Sequence, residues 1–138
     1  MFRCLWIASR GLAALALAAC AGAASAGTFG AHVGSLHFPQ AGFNNFNPGA
    51  YYRSDSGWTA GAYVNSLRRG TVYGGYTWEA GRFGLTGGAI TGYGHGVLPL
   101  LVPSAALFTH HGVTARVAYI PRVEKRIGSH VLHLMLEY

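Results

Sequence analysis

Along residues 57–79 the chain alternates. From Trp58 to Asn65 an apolar set (Trp58, Ala60, Ala62, Val64) interleaves with Thr59, Gly61, Tyr63 and Asn65. From Thr71 to Glu79 the alternation returns, with Val72, Gly74, Tyr76 and Trp78 set against Thr71, Tyr73, Gly75, Thr77 and Glu79. Residues two apart share one face of a strand, so both stretches read as β-strands joined by the turn 65–70. The second set of each is Gly, Thr, Tyr, Asn and Glu, which suits a polar lumen, with the apolar sets turned outward toward lipid.

The same period predicts a first strand over 28–38, in which Phe29, Ala31 and Val33 alternate with His32 and Gly34. An Asn- and Gly-rich loop covers 39–48, followed by a short second strand at 49–53 and a turn at 54–57. Later strands are expected at 83–93, 98–108, 113–120 and 130–138. The fold class is therefore all-β: an eight-stranded antiparallel transmembrane (outer-membrane) β-barrel, its even strand count placing both termini on one side. Leu132, Leu134, Leu136 and Tyr138 form an outward stripe ending on an aromatic. Pro99 and Pro103 fall inside the sixth strand, where they donate nothing to a ladder and predict gaps that open the wall to lipid.

Composition agrees with a barrel. Charged residues are 10% of the chain, against ~25% in ordinary soluble domains, while glycine numbers 21. Beyond the N-terminus no apolar run reaches the ~20 residues of a spanning helix, so a membrane form must be a closed sheet. Residues 1–26 read as an export signal, with Arg3 and Arg10 before an Ala/Leu-rich run and a small-residue ending at Ala24-Ser25-Ala26. That leaves one domain, 27–138, carrying eight Lys/Arg against four Asp/Glu. Leu17-Ala18-Ala19-Cys20 also fits a lipidation signal that would make Cys20 the new N-terminus. Both cysteines, Cys4 and Cys20, precede residue 27, so no disulfide is expected in the barrel.

With the short turns facing the periplasm, the outer rim gathers His37, Asn65, Ser66, Arg68 and Arg69, with His95, Arg122, Lys125 and Arg126 from later loops. Guanidinium forks pair well with phosphates such as those of lipid A. An imidazole beside a hydroxyl is the minimum for activating an oxygen nucleophile or an acceptor alcohol, which singles out His37 and Ser66. The other histidines lack metal-ligand spacing with carboxylates and read as structural, so neither metal nor cofactor is expected. The export signal and the lack of a basic aromatic platform argue against nucleic acid.

Several segments resemble the PagP family of lipid A palmitoyltransferases. They are Ser35-Leu36-His37, Ala62-Tyr63-Val64-Asn65-Ser66, Gly75-Tyr76-Thr77-Trp78-Glu79, Leu98-Pro99-Leu100-Leu101-Val102-Pro103 and Tyr119-Ile120-Pro121, in collinear order. The resemblance implies a monomeric outer-membrane barrel that transfers an acyl chain from a phospholipid donor to a lipid A acceptor. It implies catalytic roles for His37, Asn65 and Ser66. His37 would act as general base, Asn65 would orient it, and Ser66 would be either nucleophile or positioning group. Arg68, Arg69 and Arg126 would hold phosphates, and Pro99 and Pro103 would flank lateral lipid entry. Three departures stand out. Asn65 replaces an aspartate and brings no charge. Thr77 replaces a lumenal glycine, which implies an acyl chain shorter than palmitoyl. The family's N-terminal amphipathic helix has no counterpart. The alternatives are a non-enzymatic outer-membrane barrel that binds lipid or lipopolysaccharide, and a small secreted barrel with a hydrophobic ligand.

Overall fold

The computed structural model describes residues 27–94, 96–121 and 129–138. The expected export signal with Cys20, together with His95, Arg122, Lys125 and Arg126, lies outside the described residues. Eight strands follow one another: β1 (Gly27–Phe38), β2 (Phe46–Ser54), β3 (Trp58–Val64), β4 (Gly70–Ala80), β5 (Phe83–Ile90), β6 (Leu98–His110), β7 (Val113–Ile120) and β8 (His130–Glu137). Each pairs antiparallel with the next, and β8 returns to β1 to close the barrel. The seam is extended past β8 by two backbone hydrogen bonds, Phe29 N–H to Tyr138 O at 2.9 Å and Tyr138 N–H to Phe29 O at 2.7 Å. Gly27 and Tyr138 therefore share one end with the short turns. The opposite end carries the long connections after β1, β3, β5 and β7.

The expected alternation holds in β3, β4 and β8. Trp58, Val72, Trp78, Leu132, Leu134 and Leu136 face outward, while Thr59, Thr71, Thr77, His133 and Glu137 are buried in the lumen. The second strand starts earlier than expected, at Phe46 rather than Gly49. Asn47 is the reason, because its side chain is buried and hydrogen-bonded on two sides. Its amide N–H donates to Val64 O (3.0 Å) and its Oδ1 accepts from the Ser35 hydroxyl (2.5 Å). Pro48 faces outward, where its missing N–H is tolerated. The fifth strand ends at Ile90, short of the expected Tyr93.

β1 departs most from strict alternation. Its register slips between His32 and Gly34: against β8 the extra residue is Val33, which bulges, whereas against β2 the extra residue lies on β2, between Phe46 and Gly49. One extra residue reverses which face the following side chains take. His32 points inward ahead of the bulge, and Ser35 and His37 point inward after it.

Side chains fill the lumen in tiers, as expected for eight strands. Midway, His32 bonds His133 (2.9 Å) and the Tyr73 hydroxyl (3.0 Å), and Tyr51, Ala118 and Met135 pack beside them. Below lies a hydroxyl chain, with Thr77 Oγ1 2.8 Å from both Thr59 and Thr86. At the short-turn end Arg53 and Arg116 meet Glu79 and Glu137. Arg53 donates to Glu137 Oε1 at 2.8 Å and lies 3.5 Å from Glu79. Arg116 lies 2.7 Å from Glu79 and 3.0 Å from Glu137 Oε2. The Tyr51 hydroxyl also donates to Glu137, at 2.6 Å.

Candidate functional site at the long-loop rim

The turn after β3 is built around Asn65, whose side chain is fully buried. Its Oδ1 accepts from the backbone N–H groups of Leu67 (2.8 Å) and Arg69 (3.0 Å). Its Nδ2 donates to Thr71 Oγ1 (2.9 Å) and Gly92 O (2.8 Å). Two donor hydrogens and two acceptor sites are all an amide has, so every one is taken. Gly92 makes the approach possible: its φ is +89°, and a Cβ there would run into the Gly70 carbonyl and the Thr71 hydroxyl. The same turn carries Arg68 (φ +59°) and Arg69, both exposed.

Ser66 follows Asn65 and sits half-buried at the rim. Its carbonyl accepts from Asn44 N–H at 2.9 Å, which straps the β1–β2 loop onto the β3–β4 turn. The strap joins the two expected residues: His37 Nε2 lies 2.9 Å from Ser66 Oγ. His37 Nδ1 lies 2.7 Å from Asn45 Oδ1, and the Phe43 ring stacks on the imidazole at 4.9 Å and 21°. Asn45 Oδ1 can only accept, so Nδ1 carries the hydrogen and the Nε2 lone pair faces the Ser66 hydroxyl. An amide, an imidazole and a hydroxyl thus stand in line, an arrangement able to draw the proton from a serine.

Tyr93 closes the inner side of the site. Its hydroxyl meets Tyr63 at 2.7 Å and hydrogen-bonds Ser66. Burial raises its pKa above the ordinary phenol value, against the opposite pull of those two hydrogen bonds, so it stays protonated.

The expected residues fall into three groups. His37 and Ser66 are in contact, whereas Asn65 holds the turn and Asn45 takes the orienting position on His37. Thr77 faces the lumen as its parity predicts, but it sits in the hydroxyl tier, with Tyr73 and the paired histidines between it and His37. A cavity of about 400 Å³ touches Thr77 and is lined by Arg53 and Glu79; it lies at the short-turn end, away from the rim. Pro99 and Pro103 lie on the outer face of β6, opposite Ala89 and Leu85 of β5. Among the described residues the paired register of β6 with β7 begins at Ser104, so Pro103 stands just beyond the end of that pairing.

Asn45, Gln40, Phe43 and Tyr93 carry no motif in the sequence; the strap assembles the first three, and Tyr93 joins them from the β5–β6 connection. The charged tier had a legible signal, since Arg53, Glu79, Arg116 and Glu137 all occupy lumen-facing positions near one end of their strands. Comparison of the chain with protein-family models and with curated proteins finds no match.

Proposed function

We infer that this protein is an outer-membrane barrel that transfers an acyl chain from a phospholipid to lipid A. The observation that carries this reading is the 2.9 Å contact between His37 Nε2 and Ser66 Oγ at the rim of a barrel with an apolar exterior. Phe29, Trp58, Trp78, Phe83 and Phe108 ring the outside near the short turns, and Phe38 and Phe46 stand near the long loops. Between them the surface is mainly Ala, Val and Leu, with Gly, Pro and Tyr76 among them, the pattern of an apolar band between aromatic girdles. The export signal and the collinear likeness to the PagP family point the same way. In this reading donor lipid enters along the β6–β7 seam beside Pro99 and Pro103. Arg68 and Arg69 on the Ser66 turn pair with phosphates, as would Arg126. His37 takes a proton during transfer, and no metal or cofactor takes part.

Mass spectrometry of lipid A from cells with and without the chain tests this. The expected result is an added acyl group shorter than palmitoyl, lost in His37→Ala and Ser66→Ala. An unchanged lipid A from cells holding the folded barrel in the outer membrane overturns it.

One observation favours a second reading. The lumen beneath the rim is packed by Tyr63, Tyr73, Tyr93, His32 and His133, which suits a barrel that binds lipid or lipopolysaccharide on its surface without turnover. There, His37→Ala and Ser66→Ala leave function intact, while Arg68→Ala and Arg69→Ala weaken lipopolysaccharide binding.

A further inference from the structure

The β1–β2 strap contains a chain of side chains that begins at a main-chain carbonyl and ends on Ser66. Gln40 Nε2–H donates to Phe43 O (3.0 Å), which turns Gln40 Oε1 toward Asn45. Asn45 Nδ2–H donates to that oxygen (3.2 Å), which turns Asn45 Oδ1 toward His37. Asn45 Oδ1 accepts from His37 Nδ1 (2.7 Å), and His37 Nε2 is left for Ser66 Oγ (2.9 Å). Each amide is oriented by the one before it, so the polarity of the relay is set by one backbone group. Such an order fixes the imidazole in the tautomer that can accept a proton from the serine. Serine and cysteine nucleophiles on unrelated folds are activated by the same sequence of roles.

We propose that Asn45 is the positioning residue of an Asn45–His37–Ser66 relay, and that Ser66 is a nucleophile carrying the acyl group as a covalent ester. This rests on the acyl-transfer reading above and adds its chemical route. Ser66 Oγ attacks the carbonyl carbon of a lipid ester while its proton passes to His37 Nε2. The carbonyl carbon then releases the glycerol oxygen, which departs as an alcohol with the proton from Nε2. In the second half an acceptor hydroxyl gives its proton to Nε2, and its oxygen attacks the acyl–Ser66 ester. Ser66 Oγ leaves and recovers the proton. No electrons are exchanged and no further reactant is needed. Asn45 meanwhile accepts from Nδ1–H and stabilises the imidazolium that forms in both halves.

The test is covalent labelling of the folded full-length barrel in detergent micelles with an alkyl fluorophosphonate, followed by intact-mass and peptide mass spectrometry. Folding of each variant is checked by its heat-modifiable gel mobility. The expected result is a single adduct on Ser66, absent in Ser66→Ala. Asn45→Ala slows labelling by about tenfold or more, in keeping with the worth of a positioned general base. Asn45→Asp keeps the acceptor and restores labelling, but its carboxylate favours the imidazolium, so labelling falls off at a higher pH than in the parent. A residue that merely held the loop would not move that profile. Folded parent protein without a Ser66 adduct overturns the proposal, as does Asn45→Ala labelling at the parent rate. The two readings fail separately. Acylated lipid A without a Ser66 adduct overturns the covalent route and leaves transfer standing. A Ser66 adduct with unchanged lipid A supports the relay and removes lipid A as the acceptor.

Discussion

His32 and His37 are five positions apart on one strand, yet both point into the barrel. An odd separation on a regular strand sends two side chains to opposite faces. Val33, bulged between them against β8, supplies the extra residue. Deleting Val33 leaves the two histidines four positions apart, an even separation that a regular strand keeps on one face, so Ser35 and His37 should still point inward. The expected outcome is a barrel that folds and labels Ser66 at close to the parent rate. A folded deletion variant whose labelling falls as far as that of His37→Ala would show that the bulge itself, and not parity alone, sets how β1 reaches the rim.

Asn65→Asp is the natural test of whether the amide is a catalytic member that lacks its charge. A carboxylate can still accept from Leu67 and Arg69, but it cannot donate to Gly92 O, now left facing an anion. Stripping a buried acceptor of its partner costs about 1–3 kcal/mol. Asn65→Asp should therefore unfold at a lower temperature, read by gel mobility, with no gain in acyl transfer. Faster transfer at full stability would place Asn65 in the chemistry after all.

Much of this was open to sequence reading, and the failures have particular causes. Alternation in β3, β4 and β8 is unbroken, so parity alone placed Thr59, Thr77 and Leu134 on the correct faces. In β1 the apolar Val33 continues the outward set of Phe29 and Ala31, so nothing in the pattern marks the bulge. Asn45 was hidden more deeply. Its orientation depends on Asn44 reaching Ser66 O across the rim, a contact between segments about twenty residues apart. Asn65 was visible as a turn residue, but the resemblance drew it toward His37. Its four hydrogen bonds run instead to its own turn, Thr71 and Gly92.

Glu137 is the hub of the short-turn end. Its side chain is 5% exposed and meets Arg53, Arg116 and Tyr51. Glu137→Gln would leave two guanidiniums short of a buried counter-charge, and breaking one partner of a buried pair costs about 3–5 kcal/mol. Thermal unfolding followed by gel mobility should show a large drop. Arg69→Ala, on the exposed rim, should stay within about 0.5 kcal/mol of the parent. A small effect at Glu137 would mean that water reaches the tier and screens it.

The two guanidiniums and two carboxylates at the short-turn end also act as a plug. With the aromatic and histidine tier above them, they block the central axis at two heights, and their charges cancel. Reconstituted in a planar bilayer under voltage, the barrel should pass no ionic current. Opening it electrically would take removal of side chains from both tiers, not from either alone.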